Sequence, residues 1–278
     1  MPKLSQTEIN AFHCDGYYAP VDVFSAEEAR RWRADLEAFE RTLPPGPVSA
    51  GDRRKLHVRC PWARDIVGDP RLLDVMESLL GPDLLVFTST FFIKEPDTDA
   101  ITAWHQDATF FGLQPYEHVT AWVALSEASV EAGCMEFIPG SHRWGQLAHG
   151  QNALPGTINA GARSISVPMD TSRAVFAPVK AGQVSLHHTL TAHNSPPNRS
   201  KDRRIGFGIS YIPAHCRHSG SKRMSATLVR GVDRHGHFDL EDDPRTLGAD
   251  GQIEAHARAY GRYRECHAEQ QARYGVLG

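Results

Sequence analysis

LLVFTSTFFIK, residues Leu84–Lys94, marks a change of texture in this chain. β-branched and aromatic residues dominate it, and Lys94-Glu95-Pro96-Asp97 supplies a turn behind it, the signature of a strand that ends sharply. VTAWVALS (Val119–Ser126), MEFIP (Met135–Pro139), RSISVPM (Arg163–Met169), QVSLHH (Gln183–His188) and RIGFGISYI (Arg204–Ile212) share that texture, with Gly, Pro, Asn and Asp clusters between them. Strands with no helices interleaved predict antiparallel sheets closed into a barrel or sandwich, not a doubly wound fold. Upstream, the N-terminal third reads as helical. Ser25 and Glu28 form a capping box ahead of an Ala29, Trp32, Leu36, Phe39 stripe that must stop before Pro44-Pro45-Gly46-Pro47. Asp69 and Pro70 open a second helix, Leu72, Leu73, Met76, Leu79 and Leu80 give it an apolar face, and Gly81-Pro82 closes it. The polar tail from about Asp250 to Tyr274 reads as one more helix, with His256, Tyr260 and Tyr263 on its packed side.

The 278 residues are 41% hydrophobic and 23% charged, an ordinary globular composition. Thirty Lys and Arg against 33 Asp and Glu leave a formal charge of −3, which excludes a generally basic nucleic-acid binder. Five scattered cysteines without a C-x-x-C pair suit a reduced, cytoplasmic protein. No run approaches the roughly 18 apolar residues of a membrane helix, so neither nucleic acid nor membrane is expected as a partner. The outlying number is 15 histidines, since histidine is the commonest protein metal ligand.

Two patches hold the informative ones. TAWHQDATFFGL (Thr102–Leu113) contains His105-Gln106-Asp107, and on an extended strand residues i and i+2 share a face. SLHHTLTAHNSPPNRSKDRR (Ser185–Arg204) contains His187, His188, His193, Arg203 and Arg204. One imidazole from the second patch beside the first pair completes two histidines and a carboxylate on one face of a metal, the ligand set of non-haem Fe(II) oxygenases. Read singly, H-x-D is also an ordinary surface-strand pair, and a lone histidine is also a hydrogen-bonded loop residue.

WHQD (Trp104–Asp107), AWVAL (Ala121–Leu125), GCMEFIPGSH (Gly133–His142) and AHNSPPNRSKDRR (Ala192–Arg204) together resemble the phytanoyl-CoA dioxygenase family of Fe(II)/2-oxoglutarate-dependent oxygenases, from roughly Phe12 to Phe238. The resemblance implies a mainly β fold with flanking helices: a double-stranded β-helix, or jelly-roll/cupin-like barrel, with the N-terminal helices packed on one sheet. It implies a single dioxygenase domain over residues 1–278, helical to about 82, barrel from about 83 to 214, and a C-terminal extension beyond. It makes His105, Asp107 and His193 the ligands of Fe(II). It makes Arg204 the partner of the distal carboxylate of 2-oxoglutarate, with Ser195, Thr90, Gln106 and Trp122 near that co-substrate, although strand alternation turns Gln106 away. Arg203 then faces outward. His188 matches a position beside the iron, and Thr109, Phe110 and Phe111 reach toward the substrate pocket.

The implied reaction couples 2-oxoglutarate and O₂ to hydroxylation of an aliphatic C–H in a small polar metabolite or natural-product intermediate, releasing succinate and CO₂. The retained carboxylate of Asp107 favours hydroxylation over the chlorination of related halogenases, which carry a small residue there. Desaturation, epoxidation or cyclisation use the same ligands. Two further readings stay open: a barrel that binds a metal or metabolite without turnover, and a zinc hydrolase with the same ligands, which would have no use for Arg204. His57, Arg59, Arg64, Arg217, His218, Lys222 and Arg223 are basic residues that either fringe an opening or sit on solvated loops.

Overall fold

The computed structural model describes residues 3–46, 48–151, 156–158 and 163–274. In chain order the helices are α1 (Gln6–Asp15), α2 (Ala26–Thr42), α3 (Pro61–Val67), α4 (Pro70–Leu80), the single turn α5 (Ala108–Phe111) and α6 (Ala249–Tyr274). The strands are β1 (Tyr17–Asp22), β2 (Leu84–Lys94), β3 (Thr102–His105), β4 (Leu113–Gln114), β5 (Val119–Ala124), β6 (Met135–Phe137), β7 (His149–Gln151) and β8 (Arg163–Ile165). They continue as β9 (Val175–Ala177), β10 (Gln183–His188), β11 (His193–Ser195), β12 (Arg204–Pro213), β13 (Arg217–His218), β14 (Ser225–Arg230) and β15 (Asp239–Leu240).

Two sheets organise them. The larger runs β1-β10-β5-β12-β2-β14-β15 and the smaller β3-β11-β6-β9. They form the double-stranded β-helix without closing into one hydrogen-bonded ring among the described residues. Alternation along the long central strands assigns the faces. Val119, Ala121 and Val123 of β5, with Ile205, Phe207, Ile209 and Tyr211 of β12, join the main core under Trp32, Leu36, Ile66, Leu72 and Met76 of α2, α3 and α4. The residues between them, Thr120 and Trp122 of β5 and Arg204, Gly208 and Ser210 of β12, line a cavity on the opposite face. The N-terminal helices therefore cover one face of the large sheet and leave the other to the site.

The helix boundaries follow local chemistry. Ser25 and Glu28 make the reciprocal capping box at α2, and the Asp69 side chain accepts from the Arg71 amide at the start of α4. Caps of this kind each stabilise a helix by about 1 kcal/mol. Leu79 and Leu80 are only partly buried at the end of α4. Departures from the expected pattern come from long-range pairing. Residues 17–22, inside the third read as helical, form an edge strand against β10, with Tyr17 opposite His187 and Val21 opposite Val184. Short β9 and β14 pair with β6 and β2, contacts that no local pattern announces. A register shift of β2 against β12, between Val86 and Thr88, transfers the chain from the core face to the site face, as a bulge does. The α6 helix closes one end: Tyr263 and Cys266 pack with Phe87, Phe110 and Phe111.

Candidate metal centre

His105 ends β3 and His193 begins β11, and the two stand directly opposite each other in antiparallel register. That pairing brings residues from distant parts of the chain to a ring separation of 4.0 Å. Asp107 arrives by a different route from the one strand geometry suggests. The strand stops at His105, and Asp107 takes helical dihedrals (φ −59, ψ −35) at the start of α5. The turn swings its carboxylate back, so that Oδ1 lies 3.7 Å from His105 Nε2 and 4.0 Å from His193 Nε2. One ligand atom from each of the three falls within 4.8 Å of the others.

The surrounding hydrogen bonds fix which atoms face inward. His105 Nδ1 is 2.9 Å from the Ala103 carbonyl and His193 Nδ1 is 2.9 Å from the Thr191 carbonyl. Each Nδ1 therefore carries the proton and each Nε2 presents a lone pair, the arrangement that orients metal-bound imidazoles. Asp107 Oδ2 accepts from Thr120 Oγ1 at 2.7 Å and lies 3.2 Å from His187 Nε2. That leaves Oδ1 to the two histidines. Thr120 is backed by His118 at 3.3 Å, whose other nitrogen meets Thr189 Oγ1 at 3.0 Å. Burial opposes ionisation of Asp107, but the bond to His187 and the neighbouring imidazoles outweigh it and hold the carboxyl well below the usual range. Burial lowers the pKa of both His105 and His193, so the site offers two neutral imidazoles and one carboxylate, the protonation states a divalent metal requires.

Arg204 lines the same chamber as the three ligand residues. It is 2% exposed. Its guanidinium lies over the Trp122 ring, 5.3 Å from the centroid. Its polar contact is a long one, 3.5 Å to Ser195 Oγ, and its Nε has no partner. No carboxylate lies within 4.0 Å of it among the described residues. Burial pulls its pKa down to about 10, which still leaves a cation at neutral pH. Arg203, by contrast, turns outward to Glu40 and Glu95. A buried, unsatisfied guanidinium facing a two-histidine, one-carboxylate cluster fits both groups implied for this fold: a ferrous ion on His105, Asp107 and His193, and an acidic chelator whose remote carboxylate meets Arg204.

Other expected residues fall in several places. Thr90, Trp122 and Ser195 line the chamber. Gln106 does not. Its amide donates to the Gly145 and Leu190 carbonyls and accepts from the Leu147 amide, so it ties loops together behind the site, as alternation implied. The residue beside the carboxylate is His187, not His188. His188 points to the opposite face of β10, where its ring lies 5.5 Å from that of His142. Thr109 is turned into hydrogen bonds with His149 and Gln146. Phe111 lines the chamber and Phe110 lines an adjoining one. Of the basic residues considered as a fringe, His57 is buried against Glu241 and Arg64 faces Asp243.

Thr120, His187 and Lys94 have site contacts that the sequence pattern does not assign to them. Lys94 pairs in register with Arg204, and its ammonium donates to Ser195 O, Ser195 Oγ and Pro196 O at 2.8, 2.6 and 2.5 Å. Burial and the charge of Arg204 lower its pKa to about 6. The three acceptors match the three protons of the charged form and work against that shift. The one local signal is a lysine at the end of the β2 run; its place opposite Arg204 comes from the pairing of β2 with β12.

A sequence profile described as phytanoyl-CoA dioxygenase (PhyH) matches residues 12–206. The phytanoyl-CoA dioxygenase domain-containing protein 1 homolog of Caenorhabditis elegans is 28% identical over 175 residues, 61% of this chain, which spans only 61% of that relative's length. Among solved structures, the non-haem monooxygenase ThoJ in its apo form superposes with a TM-score of 0.85 at 32% identity, covering 95% of this chain and 99% of ThoJ. CytC3 with Fe(II) and alpha-ketoglutarate superposes with a TM-score of 0.67 at 26% identity, covering 87% and 95%. The matched profile and the shared fold place this chain in the phytanoyl-CoA dioxygenase (PhyH) family of non-haem iron, 2-oxoglutarate-dependent dioxygenases.

Proposed function

We propose that the chain is a single-domain, cytoplasmic hydroxylase. It oxidises an aliphatic C–H of a small polar metabolite or natural-product intermediate and converts 2-oxoglutarate and O₂ to succinate and CO₂. The observation that carries this reading is the pairing, in one chamber, of three convergent ligand atoms with a buried guanidinium that has no carboxylate partner. His105, Asp107 and His193 would hold Fe(II), which with 2-oxoglutarate and O₂ supplies the oxidising chemistry. The protein's own residues do the rest. Arg204 takes the distal carboxylate of 2-oxoglutarate, Ser195 donates a hydroxyl beside it, and Trp122 walls that end against water. Thr120 and His187 hold Asp107 in its ligating pose, so that the carboxylate cannot rotate away. Five unpaired cysteines suit a reducing compartment, and no helix among the described residues is long and apolar enough to cross a membrane.

The direct test is anaerobic titration with ferrous iron and 2-oxoglutarate, followed by a metabolite screen for stimulated succinate formation. Chelation is expected to give a visible charge-transfer band. An iron-loaded protein that neither binds nor decarboxylates 2-oxoglutarate sinks the proposal. Asp107→Ala is expected to abolish hydroxylation, and unchanged activity would disprove the ligand assignment. The fold likeness to the carbocyclase SnoK, with a TM-score of 0.60 at 26% identity, supports cyclisation as the second outcome for which products should be analysed.

A further inference from the structure

A second chamber adjoins the first and shares with it Thr90, Phe92, Thr102, His105, Asp107 and Phe111. The two rooms thus open on one ligand cluster. The first holds Arg204. The second holds a different arginine, Arg54, together with Phe110, Ile158 and Tyr263.

Arg54 is built in, not draped over the surface. Its backbone bridges to Thr90 of β2, and its carbonyl accepts from His256 Nε2 of α6 at 2.8 Å. Its Nε donates to Thr90 Oγ1 at 3.3 Å, and its guanidinium lies over the Tyr263 ring, 4.9 Å from the centroid. Most arginines near carboxylates here are paired with them, as Arg33, Arg71, Arg203 and Arg230 are. Among the described residues no carboxylate comes within 4.0 Å of Arg54. A half-buried planar fork beside Phe92, Phe110, Phe111 and Tyr263 is suited to a planar or tetrahedral oxyanion held by two N–H groups, with an apolar body against the ring faces.

We propose that Arg54 anchors an acidic group on the oxidised substrate, and that the chamber between Phe110, Phe111 and Tyr263 selects an acid with an apolar or aromatic body. This rests on the reading of His105, Asp107 and His193 as the iron ligands. It adds a substrate class, organic oxyanions, and it makes the C-terminal helix a wall of the substrate site through Tyr263. A carboxylate and a phosphonate present the same chemistry to Arg54, and the experiment separates them.

The test measures binding, not turnover. Protein loaded with Zn(II) in place of Fe(II) and saturated with 2-oxoglutarate is titrated with 3-phenylpropionate, 2-phenylethylphosphonate and neutral 3-phenylpropionamide, read by calorimetry or ligand-observed NMR. At least one acid is expected to bind tenfold or more tighter than the amide. Arg54→Gln should erase that preference and leave 2-oxoglutarate affinity unchanged, and Arg54→Lys should retain part of it. Phe110→Ala should weaken acid and amide alike. Equal or absent binding of acids and amide by the wild-type protein overturns the proposal, and needs no variant to fold. Retention of the preference by Arg54→Gln overturns it as well. So does a loss of 2-oxoglutarate affinity in that variant, which would assign Arg54 to the co-substrate. Failure of the underlying reading is seen separately, as wild-type protein that binds no 2-oxoglutarate.

Discussion

Arg204→Gln should do two opposite things. Burial lowers the Arg204 pKa from the usual arginine value to about 10. For a basic group, a folded pKa below the unfolded one means that folding resists its charge. The cost is present in full below pH 10 and fades as pH rises towards the usual arginine value. At 1.36 kcal/mol per pKa unit this is about 3 kcal/mol at neutral pH. Glutamine removes that cost but forfeits the stacking on Trp122, about 1 kcal/mol. The variant without 2-oxoglutarate should therefore be more stable than wild type by about 2 kcal/mol and melt several degrees higher. The same change deletes a charge-assisted pair with the distal carboxylate. At about 1.5–3 kcal/mol per hydrogen bond to a charged group, 2-oxoglutarate affinity should fall by about 10²-fold or more. The assay is thermal melting of Zn(II)-loaded protein with and without saturating 2-oxoglutarate, alongside the anaerobic ferrous titration. Wild type should gain stability on adding 2-oxoglutarate, as mass action requires, and Arg204→Gln should not. A variant that melts lower than wild type in its absence, yet binds it as tightly, would refute both halves of the reasoning.

Thr120→Val removes the 2.7 Å bond that fixes Asp107 Oδ2, and should weaken metal binding by about 10–100-fold, as calorimetry with Zn(II) would reveal. At Gly206 a methyl group would sit 1.7 Å from Trp122 Cζ2, so Gly206→Ala must displace the indole from Arg204. A lower melting temperature and a weaker charge-transfer band are expected together, and an unchanged band would show that Trp122 does not position the arginine. His57, His149 and His188 are each pulled down to about 4 by burial. The unfolded chain therefore takes up protons first as pH falls from about 6.5 towards 4, and each group should cost about 2 kcal/mol of stability by pH 4.5. Urea unfolding at pH 7.5 and 4.5, for wild type and for His149→Gln, checks this, and an equal loss of stability in both would mean the His149 ring is charged when buried.

Much of the site was visible in the order of residues. H-x-D, the later histidine and the arginine eleven positions beyond it are chemically specific types at specific spacings, and they point to the cluster on their own. Strand alternation was expected to set His105 beside Asp107, whereas a helical turn after His105 does so. Alternation did place Gln106 away from the chamber, against its expected contact with the co-substrate. His187 and His188 differ by one position, and a strand sends neighbours to opposite faces. Only the pairing of β10 with β1 and β5 decides which of them meets Asp107.

Caps, breakers and apolar periodicity act within a few residues, so α2, α4 and the β-rich texture from Leu84 onward are written locally in the chain. The placement of Arg54 opposite Thr90, of Lys94 beside Arg204 and of Tyr17–Asp22 along β10 is not. Each depends on which distant segment supplies the neighbouring hydrogen bonds, and those choices follow from burying the whole core at once. Ligand types are a property of the chain itself, while their supports and the second arginine come into being only when the two sheets and the last helix close around them.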